Sequence, residues 1–218
     1  MFCVEQSNVG KLLISVAEFA YGTGKRKMKV IDRAPELKGN DTAHVVQFYT
    51  KDDSLIEGLC QFVRNAMRDG ESAVLIVSES HQRELTRKLR NCGKDVAKAW
   101  GDDRCVVLNA AEALAECMDG GEPNNKKFVS VIGSIIDAAK AKARTKNVAV
   151  FGEMVAVLWA EKKYHAAIAL EQFWNDLAKS RTFYLRCAYP ASSFTDVQSE
   201  WYTAVCQQHS SVISDLAS

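Results

Sequence analysis

From residue 44 onward, short apolar runs alternate with longer segments whose apolar residues recur every three or four positions. The runs HVVQFY (44–49), AVLIVS (73–78), CVVL (105–108), VAVF (148–151) and FYLRCAY (183–189) have the length of strands. They are nearly continuous, as expected of strands buried on both faces. Between them, Leu55, Leu59, Phe62, Val63 and Ala66 share one face of a helix that Asp52 or Asp53 can cap and Gly70 ends. Ser80 opens a second helix that reaches about Asn91, and a short third one runs to about Met118 before the turn DGGEPN. Residues 126–144 carry Phe128, Val131, Ile132, Ile135, Ile136 and Ala139 at helical spacing. Residues 161–179 repeat the pattern with Ala166, Leu170, Phe173, Trp174 and Leu177. Residues 196–217 read as a last helix. The alternation predicts an α/β domain, with a mostly parallel central sheet of about five or more strands and helices on both faces.

Residues 1–40 read differently. Leu12, Leu13, Val16, Phe19 and Ala20 fit a short amphipathic helix, but YGTGKRKMK and RAPELKGNDTA show no period. An N-terminal extension, partly disordered or a short helix, is expected over 1–40, with a single α/β domain over 41–218; Met28 is an alternative start. The apolar stretch 11–21 contains Glu18 and precedes the basic cluster, the wrong order for a signal peptide. No run approaches the roughly 18 apolar residues of a membrane span. A cytoplasmic protein without membrane contact is expected.

Charge narrows the function. The chain has 28 basic and 27 acidic residues, so it lacks the basic excess of a nucleic-acid binder. The seven cysteines are odd in number and form no CxxC pair and no close Cys/His cluster. They read as reduced, buried thiols, with neither a zinc site nor a cofactor expected. A phosphate-binding loop is also missing. The junction after the first strand, Tyr49 to Ser54, has no glycine and carries Asp52 and Asp53, which repel phosphate. Gly24-Lys25 lacks a glycine five residues earlier and has Arg26 where a hydroxyl belongs. No GxGxxG and no GxSxG elbow is present, so no enzyme is expected.

Candidate binding residues cluster at strand ends and on one helix. Glu153 follows the strand VAVF and the glycine after it, placing a carboxylate at the carboxyl edge where open α/β sheets bind ligands. It serves a ligand, or it merely favours the start of the next helix. Tyr49 ends the first strand and His44 begins it; each is a site residue or part of the core. Glu171 and Asn175, four apart, sit side by side on a helix flank with Trp174 between, and Tyr189 closes the last strand. An aromatic beside a carboxylate and an amide lines a small-molecule pocket as readily as it forms a core with a solvated rim. His81, His165 and His209 fall on polar or mixed segments and are expected at the surface.

Taken in order, HVVQFY (44–49), the GES turn (70–72), FGEMVAVLWAE (151–161), LEQFWNDLA (170–178) and LRCAYP (185–190) resemble the MEDS family, a methanogen/methylotroph, dichloromethane-repressor-type sensory domain. The likeness runs from about 43 to 195. It implies a three-layer, RecA-like sandwich related to clock-type ATPases but stripped of the P-loop, with Glu153 where such a protein ends its Walker B strand. It further implies a non-catalytic sensor of a small organic ligand, working with a histidine kinase or transcription regulator. No such module accompanies the match here, so output is expected through a partner or a homo-oligomer. Two other readings stay open: a structural or protein-interaction module with a filled, degenerate nucleotide cleft, and a residual nucleotide-binding domain that uses Glu153 with a metal.

Overall fold

The computed structural model describes residues 29–31, 43–91, 93–195 and 197–214. The helix expected near residues 12–20 lies outside them. Nine strands are described: β1 (Lys29–Ile31), β2 (His44–Tyr49), β3 (Ser72–Val77), β4 (Cys105–Asn109), the short β5 (Met118–Asp119) and β6 (Glu122–Pro123), β7 (Val148–Gly152), β8 (Tyr184–Pro190) and β9 (Ser211–Ser214). The helices are α1 (Asp52–Arg68), α2 (Glu79–Leu89), α3 (Lys94–Gly101), α4 (Ala110–Cys117), α5 (Asn125–Lys142), α6 (Met154–Ala160), α7 (Tyr164–Ala178) and α8 (Ser199–Gln207).

Seven strands form one sheet in the order β1-β9-β2-β8-β7-β3-β4. Every pairing in it is parallel, as the continuous apolar runs predict. β5 and β6 make a separate antiparallel hairpin at the expected turn. Strand alternation sends Val45 and Tyr49 into one core layer, with α1, Leu85 of α2 and Val96 of α3. Val46 and Phe48 enter the other, with residues of α4 to α8. The result is a three-layer α/β sandwich.

Gly70 terminates α1 at φ 75°, a backbone that L side chains rarely adopt. Its carbonyl accepts the N–H groups of Arg144 and Thr145, tying the end of α1 to the segment entering β7. Three details depart from expectation. Residues 154–160 continue past Glu153 as the helix α6, α3 follows Gly93, and the expected last helix ends at Gln207. Ser211–Ser214 then pair between β1 and β2 as β9. SVIS is too short to carry a period, so only its tertiary partner reveals it as a strand.

Candidate functional site

The predicted site residues separate into two constellations and one core residue. The first constellation lies at the carboxyl edge of the sheet. Glu153 follows β7 and is 2% exposed. Its Oε2 accepts the Ser78 N–H at 2.7 Å, and His81 Nδ1 lies 2.8 and 2.9 Å from its two oxygens. On its other side, His81 Nε2 is 3.5 Å from Asp52 Oδ1. Asp52 is 72% exposed, so this chain of polar groups runs from solvent to a buried carboxylate. Tyr49 sits edge-on to the His81 ring at 5.9 Å. Burial first, then the charges of Glu153 and Asp52, push its phenol up.

Local sequence explains this arrangement. Ser78 caps α2 by accepting from the His81 N–H, which sets His81 in the first turn above the β3 edge. Glu153 is the residue before α6 but caps nothing with its side chain; its oxygens are committed to α2. His81 is therefore buried, contrary to the surface position expected of it. Its polar neighbours in sequence hid a partner 72 residues away.

Burial disfavours charge on His81, but Glu153 and then Asp52 outweigh it, and the imidazole is held above its ordinary value of 6.5. A raised folded-state value stabilises the protein fully below the unfolded value and ceases to do so as pH rises through the folded one. Wild type is expected to lose its thermal advantage over His81→Gln across the range from about pH 6.5 upward. Paired melts at several pH values check this; a difference constant with pH would contradict it.

The second constellation is separate and lies in the opposite core layer. His44 at the start of β2, Glu171 on α7, Cys187 on β8 and His209 before β9 converge, with their nearest ligand atoms all within 4.8 Å of one another. His44 Nε2 is 3.2 Å from Glu171 Oε2 and 3.3 Å from Cys187 Sγ. His209 Nε2 is 3.5 Å from the same Glu171 oxygen. Tyr189 donates its hydroxyl to Glu171 Oε1 at 2.8 Å. Asn175 Oδ1 lies 3.0 Å from His44 Nδ1. Sequence reasoning singled out His44, Glu171, Asn175 and Tyr189, and the structure brings these four together. Cys187 and His209 are not among the candidates: Cys187 is buried, as expected of its apolar run, whereas His209 is buried where a surface position is expected.

Glu171 is 0% exposed, so the solvated-rim reading of that helix flank does not apply to it. Burial opposes its charge, but His209 and His44 outweigh it and hold the carboxyl below its ordinary range. Burial, then His209, keeps the His44 imidazole below its own ordinary value. Burial and Glu171 push the Cys187 thiol up. Trp174 belongs to neither constellation: it is 1% exposed and packs edge-on against Phe128.

A family model, the methanogen/methylotroph, DcmR sensory domain (MEDS), matches residues 43–208. The chain belongs to the MEDS family. The first constellation falls inside the matched span, and so does the second except for His209, one residue beyond its end. The comparison with curated proteins gives no match. Among solved structures, this MEDS domain is similar to a KaiC-like protein from the hyperthermophilic archaeon Pyrococcus horikoshii. The two are 14% identical, with a TM-score of 0.48, over 74% of this chain and 69% of that one. No described helix of the MEDS domain is long and apolar enough to cross a membrane.

Proposed function

We propose that this MEDS domain is a non-catalytic sensor that binds a small organic ligand at the carboxyl edge of its sheet and passes the signal to a partner protein. The observation that carries this reading is the Asp52–His81–Glu153 chain beside Tyr49. It places a buried carboxylate and a titratable imidazole within reach of solvent, at the edge where parallel sheets receive ligands. Glu153 sits between β7 and α6, whereas Ser78 caps α2 and His81 lies in its first turn. A ligand that competes for the carboxylate would loosen α2 from β7, a movement a partner can read. A histidine kinase or a transcription regulator is the expected class of partner, and self-association is the other route.

Native mass spectrometry of the protein purified from its host tests the reading. A retained small organic molecule, lost from Glu153→Gln, is the expected result. A stoichiometric protein partner without a small molecule would favour an interaction module instead.

The first strand-to-helix junction at the same edge argues against ATP chemistry. β2 passes into α1 through Thr50 and Lys51, without glycine, and Asp52 and Asp53 open the helix. Magnesium-dependent ATP turnover is expected to stay at background. Turnover above that level, abolished by Glu153→Gln, would overturn the non-catalytic assignment and revive the nucleotide-binding one.

A further inference from the structure

We propose that His44, Glu171, Cys187 and His209 form a closed site for a divalent transition-metal ion of the zinc type. The donor set is two imidazoles, a thiolate and a carboxylate, each a common ligand of such ions. Donors held about 2.0–2.3 Å from a tetrahedral ion stand roughly 3.3–3.8 Å from one another. Three of the six separations among these atoms, 3.2, 3.3 and 3.5 Å, lie close to that shell, and all six fall within 4.8 Å.

The orientation of each ligand is fixed from behind. Asn175 Nδ2 donates to the Gln208 carbonyl at 3.0 Å and to Gln208 Oε1 at 3.3 Å, which turns Asn175 Oδ1 toward His44. His44 therefore carries its proton on Nδ1 and presents an Nε2 lone pair to the cluster. His209 Nδ1 lies 2.7 Å from the Val205 carbonyl, fixing the same tautomer. Tyr189 occupies Glu171 Oε1 and leaves Oε2 facing inward. Ser210 holds the loop in place, its N–H and hydroxyl both donating to the His44 carbonyl, at 2.7 and 2.8 Å. Supporting hydrogen bonds of this kind orient metal ligands in general.

Two inward-facing atoms lack a hydrogen bond altogether. Glu171 Oε2 and His209 Nε2 are both buried and face each other at 3.5 Å, in ion-pair range but without a hydrogen bond. Leaving two such groups unmade is costly, and an ion between them would satisfy both. Charge leads to the same conclusion. Among the described residues, the ion-pair partners of Glu171 are these two imidazoles, with no lysine or arginine. A divalent ion with one carboxylate, one thiolate and two neutral imidazoles is electrically neutral, which suits a site closed to water. The four ligands come from β2, α7, β8 and the segment before β9, so the ion would clamp the last part of the chain to the sheet. Nothing in this site depends on the ligand-sensing role of Glu153.

Cobalt(II) is the probe, applied to the full-length, chelator-stripped chain. A single ion per chain is expected to bind, giving the visible ligand-field bands of four-coordinate cobalt and a near-ultraviolet thiolate-to-cobalt band. Cys187→Ser should lose the thiolate band. Asn175→Ala, which removes no ligand atom, should weaken cobalt binding by about 10–100-fold. Zinc should raise the melting temperature of the stripped protein, and chelator should reverse the rise. If Cys187→Ser does not fold, Asn175→Ala remains decisive. Folded wild type that gives no cobalt spectrum, or affinity unchanged in Asn175→Ala, would overturn the site and leave a buried histidine–carboxylate cluster in its place.

Discussion

Trp174→Ala is expected to destabilise the domain by about 3–5 kcal/mol, the cost of deleting a large aromatic from a packed core. The indole lies on the buried stripe of α7 with Leu170 and Leu177. It meets Phe128 edge-on at 4.9 Å and Phe183 at 6.0 Å. On the sheet side it covers Gly152, where even an added Cβ would sit 3.8 Å from the ring. That glycine cannot fill the void, so collapse around an alanine would be incomplete. The indole Nε1 is buried without a partner, which moves the expected loss toward the lower part of the range. Urea unfolding should show a lower midpoint at unchanged slope. A loss below about 1 kcal/mol would mean that the contacts around Trp174 contribute little.

The same helix shows why the fold was legible in the sequence. Ala166, Leu170, Trp174 and Leu177 recur at helical spacing in the sequence and are buried in the structure. Runs such as SAVLIV are buried at every position and become central strands. These elements depend on local pattern, which a sequence displays directly. β9 depends on pairing with β1 and β2, and α6 on an apolar run continuous with the strand before it; neither announces itself locally.

The candidate sites were legible only in halves, for a related reason. A residue type can be picked out by its strangeness in an apolar context, and this is how Glu153, Glu171, Asn175 and His44 were found. Their partners sit in ordinary contexts: His81 on a charged helix, His209 in a polar turn, Cys187 in an apolar strand. His44 and Cys187 are 143 residues apart, so no spacing rule connects them. Convergence of this kind is a property of topology, because β2 and β8 are neighbours only in the folded sheet. Nor could pattern show that Tyr49 and Glu153 stand apart from the other candidates.

Glu153→Ala is expected to cost about 3–5 kcal/mol, as when one partner of a buried ion pair is removed. Both carboxylate oxygens contact His81 Nδ1, and one also accepts the Ser78 N–H at the start of α2. Alanine would leave that N–H without its acceptor and the imidazole without its buried counterion. Glu153→Gln separates the two losses. Its carbonyl oxygen can still accept from Ser78, and its amide can donate to a neutral His81, so the shape and one hydrogen bond survive. What is lost is the difference between a charged and a neutral hydrogen bond, roughly 1–2 kcal/mol. The pH dependence assigned to His81 should then flatten, since its chief source of upward pull is gone. Thermal melts of the two variants, each at low and high pH, check the pair together. If glutamine costs as much as alanine, the charge of Glu153 is an anchor of the fold, and the ligand-binding role given to it at the sheet edge fails.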